Sequence, residues 1–305
     1  MILLIKQFIR QLYLLLPLFL LSFNSCVEKI DIKLDDSFTR LVVEGSVTSD
    51  SVLHWVKLGL TSNYFNNQGS PFVSGATVTL SDGNTVWHLF EHPTYKGSYY
   101  SAIPFKGEVG KNYSIQVSNV EIGGESKACS ANCSLPDNGR LDSISIVEFA
   151  GFDYWIIKLY AQDPPDVANF YMFNVYRNGE LMTDTIQNVT ISNDILFDGN
   201  YTNGIQVQFF QKNKVITGDT ITLEMAGITK EYYKFLEALK TEAGYHNPLF
   251  DGPPANVIGN ISNGALGFFA AQSLARTSAI IPSSKKHYTN EAISPFIKNE
   301  ILQRR

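Results

Sequence analysis

Nucleophilic catalysis needs a serine or cysteine with a histidine in hydrogen-bond reach, and the five histidines of this chain offer little towards that arrangement. His54 and His88 sit inside β-type runs, where a strand face or its solvent side accounts for them. His92 and His246 precede Pro93 and Asn247-Pro248 in loops, and His287 stands in a polar tail. No G-x-S-x-G elbow occurs, so no catalytic residue is assigned. His88 and His92 are four apart, which would make a metal pair on a helix, but their segment reads as strand and turn and no third ligand accompanies them. Calcium takes oxygen ligands at alternate spacing, and NDILFDGNYTNG gathers Asp194, Asp198 and Asn200 beside Gly199. Asp-Gly-Asn is first of all a hairpin turn, and only two carboxylates are present, so neither a metal nor a cofactor is expected. A glycosidase needs paired carboxylates about 5–9.5 Å apart around a cleft, which scattered Asp and Glu neither support nor exclude. The aromatic runs FDYWIIKLY and NFYMFNVY could stack on sugar rings, but their alternate placement in strands makes them core. Phosphate-loop and dinucleotide fingerprints are absent.

The elements that must position these groups are mostly strands. From residue 39 to 136, seven short β-type runs (TRLVVEGSV, LHWVKLGLT, GATVTLSDG, NTVWHLFE, GSYYSAI, KNYSIQVSN and SKACSANCS) are separated by turn signals. In GATVTLSDGNTVWHLF, Ala76, Val78 and Leu80 alternate with Thr77, Thr79 and Ser81, and Asp82-Gly83-Asn84 supplies the hairpin turn before Val86 and Leu89. Seven strands with no helical window predict an immunoglobulin-like or prealbumin-like sandwich. A Pro-Asp-Asn-Gly cluster at residues 136–139 marks a boundary, and a larger β domain is expected over 141–281. Its runs are ISIVEF, FDYWIIKLYAQ, NFYMFNVYRNGELM, NVTISND, YTNGIQVQFFQ, DTITLEMAGI and ALGFFAAQS. The second is apolar on both faces, which predicts a central strand. One helix is expected: Thr229 suits an N-cap, and Tyr232, Phe235, Leu236 and Leu239 follow at helical spacing before Gly244. The fold class is therefore all-β, with two β-sandwich-type domains and a single helix packed on the sheet edge of the second. A polar, basic tail runs over 282–305.

The first 25 residues carry Lys6 and Arg10 before an apolar core from about Leu12 to Phe23, then Ser25 before Cys26. That is a signal-peptide layout, shorter than the roughly 20 apolar residues of a spanning helix and interrupted by Pro17. Its removal leaves 280 residues and takes the formal charge from −5 to −7, a poor match for nucleic acid. With 15 Tyr, 20 Phe and 17% charged residues, the body holds a packed core. Cys129 and Cys133 are the other cysteines. On a straight strand they stand about 13 Å apart, against the ~5.5 Å that a disulfide spans, so they pair only if ACSANCS bends, and the question stays open.

The end of the leader resembles the lipobox of bacterial lipoproteins, which implies diacylation of Cys26; Phe23 departs from the usual leucine of that motif. The following VEKIDIKLDD, residues 27–36 of a tether over 26–38, resembles the acidic export signal of Bacteroidota lipoproteins and implies the outer face of the outer membrane. The order of IDIKL, RLVVEGSVTSD, PFVSGATVTLSDG, YKGSYYSAIPFKGEVGKNYSIQV, LDSISI, KEYYKFLEAL and PPANVIGNISNGALGFFAA resembles the Bacteroidota lipoprotein family DUF4249 over nearly the whole mature chain. That resemblance supplies no catalytic residues; it implies a TonB-dependent β-barrel receptor as partner. PFVSGATVTLSDG is also similar to the first hairpin of the carboxypeptidase-regulatory-like sandwich, which has no peptidase chemistry.

The expectation is thus a non-enzymatic, lipid-anchored β protein whose loops bind a transporter or ligand. Binding is placed on loops 62–70, with Tyr64 and Phe65, and 246–261, with His246 and Phe250; for residues 245–261 a packed cap is the alternative. A cell-surface hydrolase of carbohydrate or peptide would instead show a cleft holding two carboxylates or a perturbed histidine. An adhesin or assembly subunit would show an open strand edge.

Overall fold

Alternation of side chains builds the first half. In β1 (Leu41–Thr48), Leu41, Val43 and Val47 are buried while Val42, Glu44, Ser46 and Thr48 reach towards the surface, because successive side chains of a strand point to opposite faces. The same period places Val56 and Leu58 of β2 (Trp55–Leu60), Val78 and Leu80 of β3 (Thr77–Ser81), and Leu89 of β4 (Val86–Glu91) in one core. Tyr99 of β5 (Ser98–Ser101), Tyr113, Ile115 and Val117 of β6 (Asn112–Ile122), and Cys129, Ala131 and Cys133 of β7 (Glu125–Ser134) complete it. All seven sequence-predicted strands are present. The β3–β4 turn forms at Asp82, whose Oδ1 accepts from the amides of Asn84 at 3.0 Å and Thr85 at 2.7 Å. Tyr113 stands at the corner into β6, its hydroxyl accepting the Glu108 amide at 2.9 Å. This is a computed structural model, and it describes residues 39–62, 69–149, 151–244 and 256–283.

The second half is layered. A three-stranded sheet, ordered β13 (Tyr201–Gln211), β9 (Tyr154–Gln162), β8 (Arg140–Phe149), faces β10 (Phe170–Arg177) and β14 (Thr220–Ile228) of the larger sheet. Trp155, Ile157 and Leu159 meet Tyr171, Phe173, Val175, Ile221 and Leu223 between them. The strand read as apolar on both faces, β9, is central: its other face buries Ile156 beside Phe149 and Phe209. Two short strands, β11 (Glu180–Leu181) and β12 (Thr190–Asn193), pair with β10. The helix α1 (Lys230–Glu242) starts at Thr229, whose side chain accepts from the Tyr232 amide at 3.3 Å. It lies on the outer face of the sheet, not at its edge as expected. Leu236 is buried with Met172, Ile191, Ala226 and Ile228, and Tyr232 and Phe235 pack on Phe268.

The last strand, β15 (Leu266–Ile280), serves both halves. It pairs in parallel with β1 from Val42↔Leu266 to Thr48↔Gln272, then antiparallel with β14 from Gly227↔Ser273 to Thr220↔Ile280. Two hydrophobic cores are present, but they do not divide at residues 136–141: Ile261, Phe269 and Ala271 belong to the first core, and a single twelve-stranded sheet runs through both. β7, at the far end of that sheet, is tied back to β15. The Asn260 amide donates to Phe269 O at 2.8 Å and Asn132 O at 3.1 Å and accepts from Phe269 N at 2.9 Å, so one side chain stands in for a ladder rung. Gly267 permits the close parallel approach: at φ +96°, a Cβ there would lie 2.0 Å from the Val43 carbonyl oxygen.

Candidate functional site

Two loops at one end of the second core bring carboxylates together. β9 ends at Gln162, and Asp163 follows before Pro164 and Pro165, which cannot continue a ladder. On the neighbouring loop, β12 ends at Asn193 and the turn from Asp194 to Asn200 follows. Oxygen atoms of Asp163, Asp194 and Asp198 all lie within 4.8 Å of one another. Asp163 and Asp194 are each 3% exposed, while Asp198 faces solvent.

Each carboxylate is held by neutral donors. Asp163 Oδ1 accepts from the Tyr171 hydroxyl at 2.5 Å and Oδ2 from the Gly199 amide at 3.0 Å. Asp194 Oδ2 accepts from Asn169 N at 2.6 Å, and Asp198 Oδ1 from Asp166 N at 3.2 Å. Gln162 binds across the loops, its Nε2 donating to Gly199 O at 3.0 Å. Gly199, at φ +68°, lies against Pro165, where a Cβ would come within 3.0 Å of the proline ring. Among the described residues, no Lys, Arg or His forms an ion pair with any of the three. Burial pushes the Asp163 carboxyl above the ordinary aspartate range and Asp194 and Asp198 add to this, against the lowering effect of the Tyr171 and Gly199 bonds. Burial, with the bond to Asp163, likewise pushes the Tyr171 hydroxyl up.

The space on the core side of Asp163, lined also by Tyr171, Phe197 and Thr202, is about 10 Å³, room for a single water at most. A larger, open groove of about 560 Å³ lies elsewhere, between the β10–β11 edge and β13, lined by Tyr154, Arg177, Met182, Asp184, Phe210 and Lys214 among others. Arg177 is committed to structure there: its Nε donates to Asp219 Oδ2 at 2.6 Å and its Nη1 to Lys214 O at 2.9 Å. Among the described residues no histidine lines the groove, whereas two exposed carboxylates, Glu180 and Asp184, do.

Of the residues singled out from sequence, Cys26, Tyr64, Phe65, His246 and Phe250 lie outside the described residues. Cys129 and Cys133 are both buried free thiols, which answers the open question against a disulfide. β7 is straight there, Cys129 opposite Val117 and Cys133 opposite Tyr113 in unbroken register, so the thiols stand about 13 Å apart. Cys133 has another role, its Sγ accepting the Ala271 amide at 3.2 Å and so joining β7 to β15. His54 is buried against Phe105, its Nε2 2.9 Å from the Phe105 carbonyl oxygen, and burial lowers its pKa. His88 is exposed on β4 and His92 Nδ1 caps its own loop at the amides of Thr94 and Tyr95, so the two form no metal pair. The turn at Asp194, Asp198 and Asn200 does form, and sequence reasoning missed its third carboxylate, Asp163, 31 positions before Asp194. The available signal was an aspartate set at a strand end by two prolines.

Fold and loops together define an all-β protein whose joined cores present a paired-loop acidic site at one end. A family model described as a domain of unknown function, DUF4249, matches residues 27–278. The chain belongs to that family. No curated protein matches it.

Proposed function

We propose that this protein is a lipid-anchored lipoprotein of the outer membrane, facing the cell exterior, that serves as a non-enzymatic binding subunit of a TonB-dependent β-barrel receptor. At the sequence level the reading rests on Cys26 behind its apolar leader and on the acidic tether after it. Two or three acyl chains, at about 0.8 kcal/mol per buried methylene, hold such a body at a membrane. The observation that carries the non-enzymatic part is where the buried carboxylates lie: among the described residues the groove of about 560 Å³ is lined by no histidine and by two exposed carboxylates, Glu180 and Asp184, while the buried Asp163 adjoins a cavity of about 10 Å³ with no room for a substrate. A hydrolase needs a carboxyl tuned by burial beside its substrate.

A second reading, an assembly subunit, draws on β13. It is an eleven-residue edge strand of the three-stranded sheet, and such edges accept a partner's strand. Mild-detergent pull-down of the tagged full chain from its native membrane, beside a Cys26→Ala control, tests the proposal. Stoichiometric recovery of an outer-membrane β-barrel supports it; recovery of the lipoprotein alone sinks the receptor complex.

A further inference from the structure

The three aspartates bring oxygen ligands together, one atom of each within 4.8 Å of the others. Calcium takes six to eight oxygens from carboxylates and amide carbonyls in flexible geometry, whereas magnesium usually keeps several waters and only one or two carboxylates. Their hydrogen bonds leave lone pairs free: among the described residues none donates to Asp194 Oδ1 or Asp198 Oδ2, while the other oxygen of each is fixed by a backbone amide. Amide-held carboxylates of this kind are how a protein orients ligands before the ion arrives.

An independent observation points to the same place. Asn169 is 5% exposed, and its Oδ1 is buried without a hydrogen-bond partner. The β10–β12 ladder, Phe170↔Asn193 being its last pair, continues one step to set Asn169 opposite Asp194, whose amide donates to Asn169 O at 3.2 Å. The Asn169 backbone amide in turn donates to Asp194 Oδ2 at 2.6 Å, so the residue that carries the unpartnered oxygen adjoins the Asp194 carboxylate. A buried carbonyl oxygen with no donor is costly and is also a calcium ligand. Among the described residues, no cationic side chain pairs with the two buried carboxylates.

From this geometry we infer a calcium site in which Asp163, Asp194, Asp198 and the Asn169 side-chain oxygen bind one Ca²⁺, with water completing the shell on the exposed Asp198 side. The site clamps the 163–169 loop to the 194–200 loop. Val167, Ile195 and Leu196, which are 57%, 77% and 94% exposed, stand on those loops, so the ion sets the arrangement of an apolar tip.

The test uses the purified full chain in detergent, stripped with EGTA, with CaCl₂ or MgCl₂ as the only probe. Equilibrium dialysis with ⁴⁵Ca is expected to give one ion per chain. Saturating calcium is expected to raise the melting temperature by about 5 °C, with magnesium producing much less. Asp198 is exposed, so Asp198→Asn is expected to keep the calcium-free melting temperature while losing at least tenfold in affinity. Asn169→Ala weakens binding as well. Absence of bound calcium at 10 mM, equal response to magnesium, or full binding by an Asp194→Asn/Asp198→Asn double variant whose folding is shown by circular dichroism would each overturn the assignment.

Discussion

Arg276 holds the two halves together through charge. Its guanidinium reaches Glu224 on β14, with Nε at 2.8 Å and Nη2 at 2.6 Å from Oε2, and Nη2 also lies 2.7 Å from Asp50, just beyond β1. The Glu224 side chain is 6% exposed, and its other donors are Asn174 Nδ2 at 3.0 Å and the Tyr176 hydroxyl at 3.4 Å. Arg276→Met keeps the aliphatic stem and removes the charge. Stripping one partner from a fully buried pair costs about 3–5 kcal/mol. Here the arginine side chain is 40% exposed, so water replaces part of what is lost, and Asn174 stays in place. The expected loss is therefore about 2 kcal/mol, or a melting temperature lower by about 4–8 °C for a body of this size. Urea unfolding followed by tryptophan fluorescence measures it, and the double variant Glu224→Gln/Arg276→Met separates charge from packing. Removing the stranded carboxylate charge should restore about 1 kcal/mol relative to the single variant. A loss under about 0.5 kcal/mol, or strict additivity in the cycle, would refute the reasoning that Glu224 depends on this arginine.

Three further outcomes follow from packing and protonation. Gly267→Ala should cost about 3 kcal/mol or more, whereas Gly264→Ala, at φ +74° with open space around its Cβ position, should cost only the left-handed backbone penalty of about 1–2 kcal/mol; equal losses would mean that the approach to Val43 is unimportant. Burial pushes the Cys129 thiol up to about 11 and raises Cys133 too, so both should resist iodoacetamide at pH 8 in the folded protein and react once unfolded in urea, with rapid labelling of the native state as the contrary result. Burial lowers the His54 pKa, so below about pH 6.5 the unfolded chain takes up a proton that the folded one refuses. Stability should then fall with pH by up to about 1.4 kcal/mol per unit through this residue, and unfolding curves of His54→Gln should show a shallower decline between pH 7 and 5; parallel declines would contradict the assignment.

The order and identity of the strands were legible because their signals are local. Alternating Val78 and Leu80 before Asp82-Gly83-Asn84 specify a hairpin within fifteen residues, and Thr229 with Tyr232, Phe235 and Leu236 specifies a capped amphipathic helix. The partnership of β15 was not legible. ALGFFAAQS announces a strand, but nothing local says that Leu266 lies beside Val42 in parallel or that the strand continues to Ile280 to pair with Thr220. Such pairings are decided by which apolar faces remain uncovered when the chain has collapsed, and that depends on every other strand at once. The helix was misplaced for the same reason: its apolar stripe names a face to be buried, and only the sheet shows that the face of β10 and β14 opposite the three-stranded layer was the one still open.

The acidic site shows how far local reading goes wrong when chemistry is split between loops. Asp194 and Asp198 sit four residues apart in a turn, and two carboxylates are too few to favour a metal over a hairpin. The balance changes with Asp163 and Asn169, neither of which carries a signal alone. Asp163 has the form of a strand-end residue before two prolines, and Asn169 that of a loop residue before β10. Packing joins them, because β9 and β10 face each other across the core and Tyr171 reaches over to Asp163. Burial then changes their meaning. An exposed pair of aspartates is solvated and asks for nothing, but two carboxylates at 3% exposure beside an amide oxygen with no donor carry a desolvation cost that hydrogen bonds from neutral donors offset only in part. A bound cation would offset the rest, and three carboxylates with an amide carbonyl make the all-oxygen ligand set that calcium takes.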